Sequence, residues 1–225
     1  MRKILTVVIA SFYCLAVIGQ TSHGDSAITL IKMQKDSALR AMMHTDSAKI
    51  DKEFADKLKE AQLKGIAVYP AMNGGDMSGV IPVKDPTEVP DPNMDYKLLF
   101  ELTSNNPDST AKDINYGLTE VTRIINLHVA SGIPLKKIIP VIVVHAGALN
   151  AFTNNEFYKG KYKTDNPNQK LINDLAAIGT RFIACGQAMV FFDIKKEALM
   201  PVMKISVTAQ TVLSSYQLKG YVKYW

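Results

Sequence analysis

Cys185 is the sharpest chemical signal in the chain. It closes the apolar run "RFIAC" and is followed by Gly186, which permits close backbone approach, and by Gln187 at the start of a helical segment. A thiol between a strand and a helix start meets free backbone N–H groups, here those of Gly186 and Gln187, and the positive end of a helix dipole. Those surroundings favour the thiolate, which is the nucleophile. The competing reading is a buried cysteine that packs as a small hydrophobe. His145 closes a second apolar run, "KIIPVIVVH", and opens "HAGALN", which ends at Asn150. A histidine there either moves protons beside the thiol or sits hydrogen-bonded in the scaffold. Ser104, Asn105 and Asn106 follow a third run, "YKLLFELT".

The other histidines carry less. His128 falls on the apolar face of a helix, as a satisfied core histidine does, and His23 and His44 have no companions at metal-ligand spacing. No metal site and no cofactor is therefore expected. The chain holds no G-x-G-x-x-G, no phosphate loop ending in Gly-Lys-Ser/Thr, no G-x-S-x-G and no H-E-x-x-H. Its "NGGDMSG" stretch lies in a proline-rich loop, without the strand before and helix after that a phosphate cradle requires.

Three strand tips must bring these residues together. The run at 137–145 is rich in β-branched residues and almost wholly apolar, as in a strand buried on both faces. The runs at 96–103 and 181–185 flank it in the chain, 203–208 gives a fourth strand, and "YVKYW" a fifth. Helical patterns lie between them, from about 109 to 130, where Ile114, Leu118, Val121, Ile125 and His128 share a face, at 168–178, and at 209–219. Gly132 with Pro134 stops the first and Gly179 the second. Repeated strand, helix, strand units imply an α/β fold with a mostly parallel sheet covered by helices on both faces. In such sheets ligands bind outside the carboxyl ends of the strands, where Asn105, His145 to Asn150 and Cys185 to Gln187 collect.

The first part of the chain differs. Residues 1–20 place Arg2 and Lys3 before an apolar run, then small and polar residues, in the layout of a cleavable signal peptide. The run is short for a bilayer-spanning helix, so no stable membrane insertion is expected after cleavage, and a periplasmic location is. Residues 21–69 read as a helical extension, with Ile50, Phe54, Leu58, Ala61 and Leu63 near helical spacing. Residues 70–94 form a Pro/Gly-rich loop and 95–225 the α/β domain. Loss of residues 1–20 removes Cys14 and leaves Cys185 as a solitary thiol, so no intramolecular disulfide is available. Hydrophobic residues are 47% and charged residues 21% of the 225, a globular composition. The net charge of +5 is mild, and no Lys/Arg stripe interleaved with aromatics appears, so nucleic acid is not an expected partner.

The segments "YKLLFELTSNN", "IIPVIVVHAGALNAF", "NPNQKLINDLAAIGTRFIACGQAM" and "KISVTAQTVLSSYQLKGYVKYW" together resemble the DsrE/DsrF-like family, in particular exported members with similar H-G/A-x-A-L-N and C-G-Q segments. The resemblance implies a three-layer α/β/α sandwich, assembly into homo-oligomers, and a sulfur-carrier role in which a cysteine just after a strand holds a persulfide and hands the outer sulfur to a partner protein. Cys185 falls at the matching place. The carriers continue with an arginine-containing stretch of small residues, whereas this chain continues "GQAMVFFDI". The expectation is a periplasmic sulfur-binding or sulfur-relay protein. Cys185 carries the persulfide, Gly186 and Gln187 offer N–H groups to it, and His145, Asn150 and Asn105 line the pocket. The alternatives are a non-catalytic ligand-binding or assembly module of the same fold, and a redox sensor pairing Cys185 between subunits.

Overall fold

The computed structural model describes residues 23–41 and 47–224; the expected signal segment and His44 lie outside the described residues. The chain divides after Gly65 into two compact units. The first holds helices α1 (His23–Ala41) and α2 (Ser47–Ile66, whose last residue crosses the boundary). On α2 Phe54 is buried, Ile50, Leu58 and Ala61 are half-buried and Leu63 is exposed, a narrow stripe like the one the spacing predicts. No described helix is long and apolar enough to cross a membrane.

The second unit is built on a five-stranded sheet of β1 (Tyr96–Leu102), β2 (Ile138–Val144), β3 (Arg181–Cys185), β4 (Met203–Ser206) and β5 (Val222–Tyr224). The order is β4-β3-β2-β1-β5 and every pair is parallel. The strands thus run outward from β1 in one direction as far as β4, and β5 then returns to the free flank of β1. Pro140 sits in the central strand because β3 begins its pairing only at Val141↔Arg181. His145 N–H donates to Leu102 O, so by alternation the nitrogen of Pro140 points to the β3 side, where no partner is waiting.

Helices cover both faces. Leu98, Phe100 and Leu102 of β1, Ile142 and Val144 of β2 and Phe182 and Ala184 of β3 face the larger core. It is completed by α3 (Tyr116–Ala130), α5 (Gln169–Ala177) and α6 (Gly186–Phe191), with Phe157 of α4 (Asn155–Tyr162) at its margin. Leu118, Val121 and Ile125 of α3 are fully buried there, at the spacing the sequence shows. Alternate strand residues, Leu99, Val141, Val143, Ile183 and Cys185, face a smaller core closed by Ala209 and Leu213 of α7 (Ala209–Leu218). Gly132 and Gly179 end α3 and α5 at φ +91° and +90°, a conformation that only glycine adopts without strain.

The helix expected from 109 begins later. Residues 108–110 form a short 3₁₀ turn, and α3 starts after Asn115, whose side chain accepts from Gly117 N–H at 3.0 Å. Asn106 accepts from Tyr116 N–H at 3.0 Å, and Asn168 from Asn115 N–H at 2.7 Å. The loop before β1 is not loose either: Asn126 of α3 accepts from Ala71 and Met72 N–H and donates to the carbonyls of Met72 and Ser78. His128 is half-buried, with Nδ1 2.7 Å from Ile124 O and its ring edge-on to Tyr96, the satisfied histidine expected from its helix face.

Candidate active site at the carboxyl edge of the sheet

Cys185 is the last residue of β3, 4% exposed, and the one cysteine among the described residues. It pairs across to Ser206 of β4 and joins the smaller core with Ala209, the first residue of α7. Gly186 is needed there: a Cβ would lie 2.6 Å from the Ser206 carbonyl oxygen, so β4 reaches its place only against a residue without a side chain. Gln187 does not act as expected. Its N–H donates to Val207 O at 3.2 Å and its side chain is exposed, so the group assigned to an anionic sulfur instead fastens α6 to the segment after β4.

His145 follows β2 directly, on the same face as Cys185. The β2–β3 register runs to Val144↔Ala184, and one further step sets His145 opposite Cys185, on strands about 4.8 Å apart. The sheet places beside His145 a partner that belongs to no sequence motif. Glu101 of β1 lies on the same face, and its Oε1 is 2.8 Å from His145 Nε2. On the far side Lys223 of β5, paired in register with Leu99, sets its Nζ 2.5 Å from Glu101 Oε2. The four residues form a diagonal over four neighbouring strands, Lys223, Glu101, His145, Cys185. Burial alone pushes the Glu101 carboxyl up, but hydrogen bonds from Lys223 and His145 outweigh it and hold the group below its ordinary value of 4.5. An ionised carboxylate only accepts hydrogen bonds, so Nε2 of His145 carries the hydrogen. Among the described residues Nδ1 of His145 has no hydrogen-bond partner.

Asn105 and Asn150 sit on the other side of the sheet's edge. Asn150 is buried, donates from Nδ2 to Gly147 O at 2.8 Å and accepts from Lys161 Nζ at 2.8 Å. Asn105 donates from Nδ2 to Tyr162 OH at 2.9 Å. Both fasten α4 to the loops after β1 and β2, so they hold the scaffold rather than the wall of a pocket around Cys185. Asn105 and Glu101 do border one cavity of about 270 Å³ at the carboxyl end of β1, with Ser104, Tyr116 and Glu120 among its walls. A cavity of about 600 Å³ lies away from the strand tips, between the proline-rich loop and the end of α3. Among the described residues no group of three or more His, Cys, Asp or Glu is placed to hold a metal ion.

A family model for the DsrE/DsrF-like family matches residues 97–223, more than half of the chain, and reaches from β1 into β5. The chain belongs to the DsrE/DsrF-like family. No curated protein matches it. Among solved structures it is similar to a protein of unknown function from Methanobacterium thermoautotrophicum, with 16% identity over 58% of this chain and 98% of that one and a TM-score of 0.43. Within the DsrE/DsrF-like domain, the diagonal uses two residues that the matched segments contain but that motif reading left out. Glu101 is a carboxylate near the carboxyl end of an otherwise apolar strand, and that was the available signal. Lys223 alternates with apolar neighbours in "YVKYW" and reads as the wet side of an edge strand.

Proposed function

We propose that the protein is a sulfur-relay protein that carries sulfane sulfur as a persulfide on Cys185. The observation that carries this reading is the place of Cys185, on the last residue of β3 and in register with His145, within a DsrE/DsrF-like domain. In the transfer the Cys185 thiolate attacks the outer sulfur of a donor persulfide R–S–SH. The Cys185 S–S bond forms, the donor S–S bond breaks, and R–S⁻ leaves and is protonated to R–SH. One sulfur atom and one proton change places and nothing is oxidised. α7 begins in the same cluster and brings the positive end of its backbone dipole toward the anionic outer sulfur. Work in the periplasm, after cleavage of residues 1–20, and assembly with further copies of the chain belong to this reading.

The test is intact mass after incubation with polysulfide and removal of the excess. Wild type is expected to gain whole sulfur atoms and Cys185→Ser none; uptake by Cys185→Ser overturns the reading.

A second reading is favoured by a different observation. Cys185 is buried among apolar side chains, while Val190 and Phe191 at the end of α6 are 82% and 81% exposed. On this reading the domain is an assembly module whose α6 edge meets another chain and whose thiol is packing. A thiol that alkylates only after unfolding, with a mass in sedimentation that falls on Phe191→Asp, supports it.

A further inference from the structure

We propose that Glu101 and Lys223 are positioning residues for His145, fixing its ring as the Nε2–H tautomer so that Nδ1 takes the proton of Cys185. The inference rests on the sulfur-relay reading and deepens it. Parallel pairing gives residues in register the same facing: Glu101 of β1 pairs with Val143, so His145, one same-face step further along β2, stands diagonal to Glu101 and level with Cys185 of β3. The imidazole has two nitrogens, and Glu101 engages Nε2 at 2.8 Å. The nitrogen left over is a lone-pair acceptor on a half-buried ring, with the thiol on the adjacent strand.

Lys223 explains why the carboxylate can do this. Glu101 and His145 side chains are 17% and 19% exposed, and a carboxylate that shielded would otherwise tend to take up a proton and turn donor. The ammonium on Oε2 keeps both oxygens as acceptors, one for Lys223 and one for His145. Contacts therefore link cation, carboxylate and imidazole, and the register of β2 with β3 sets the thiol on the strand beside the imidazole. The proton moves from Cys185 Sγ to His145 Nδ1, the thiolate attacks the donor persulfide, and the same proton passes from Nδ1 to the departing R–S⁻, restoring neutral His145.

Tyr116 and Glu120 of α3 border the cavity at the end of β1 that Glu101 also borders, and Glu120 is held by Arg123; the remaining titratable groups on the His145 face stand apart. Arg181 and Lys97 lie at the amino ends of β3 and β1, Tyr216 and Tyr221 at the far end of α7, and Lys204 is exposed on β4. A change in the pH dependence of the thiol on altering Glu101 thus reports on His145.

The experiment measures the rate of Cys185 alkylation by iodoacetamide from pH 5 to 10, with the ¹⁵N spectrum of the His145 ring, in wild type, Glu101→Gln, Lys223→Met, Lys223→Arg and His145→Gln. Expected are a wild-type ring protonated on Nε2 and a neutral-pH rate about tenfold lower in Glu101→Gln and His145→Gln. The midpoint of the pH profile should rise in both. Lys223→Met should show a smaller rise and Lys223→Arg wild-type behaviour. A residue that merely holds the fold would lower stability without moving the midpoint or the tautomer. Lys223 lies on an edge strand, so its variants keep the test open if Glu101→Gln does not fold. An unmoved midpoint, or a wild-type ring protonated on Nδ1, overturns the inference. Sulfur loading that ignores Glu101 and His145 overturns it and leaves the relay reading standing; alkylation that follows Glu101 without any sulfur loading does the reverse. A Cys185 that no reagent reaches in the folded wild type at any pH overturns both.

Discussion

The two faces of the sheet are covered unequally. Among the described residues, 24 buried apolar side chains fill the side of α3, α5 and α6, and seven fill the side of α7. The asparagines follow the same division: Asn106, Asn115, Asn126, Asn150 and Asn168 all tie loops and helix starts together around the larger core. On the α7 side three ionisable groups, Glu101, His145 and Lys223, bond to one another. One face supplies stability, and the lighter covering of the other leaves the strand tips wide enough for charged side chains and a thiol. A charged group beneath the larger core would have to be desolvated far more fully.

This contrast can be broken by substitution. Phe152 is fully buried on the larger side, its ring 5.8 Å from Phe182, and Phe152→Ala is expected to cost about 3–5 kcal/mol in urea unfolding. Leu213→Ala, on the α7 side, should cost about 2 kcal/mol, since the pocket it leaves borders few other buried side chains. Equal losses at the two positions would mean that the faces are not unequal in energy. Gly186→Ala comes next, at about 1–2 kcal/mol, because a backbone oxygen must move to admit the methyl. Faster amide exchange in β4 but not in β1 would place that strain where the geometry puts it.

The smallest effect is electrostatic. Glu101→Gln should change stability near neutral pH by about 1 kcal/mol or less, as for a partly exposed pair. Its sign with pH is fixed by the direction of the shift. The carboxyl is held below 4.5 when folded, so its contribution is fully present above that value and is lost as pH falls through the lower, folded value. Wild type and Glu101→Gln unfolding curves should therefore converge in acid, and a gap that persists there would rule out the charge as its cause.

Much of this arrangement was legible in the chain. The order of strands and helices follows from apolar runs, and the pairing of His145 with Cys185 follows from strand tips alone. The start of α3 was hidden because its cap is shared: Asn168 reaches Asn115 N–H from 53 positions away, which no local pattern shows. The role given to Gln187 failed for a similar reason, since its N–H answers to Val207 on a neighbouring segment. Glu101 and Lys223 escaped notice because a charge alternating with apolar residues reads as solvent-facing until the sheet order sets the two strands side by side.

The return of β5 to β1 also sets an order of assembly. Lys137 meets Asp95 over 42 positions where β1 and β2 come together, whereas Lys97 reaches the Lys219 carbonyl, beside β5, over 122. Closing the longer loop costs about 1 kcal/mol more in chain entropy. The three bonded levels of β5 offer little in return beside the seven of β1 with β2. Amide exchange at Val222–Tyr224 should accordingly outpace that of Val141 to Val144. During folding the thiol and its histidine come into register first, and the cation that steadies them arrives last.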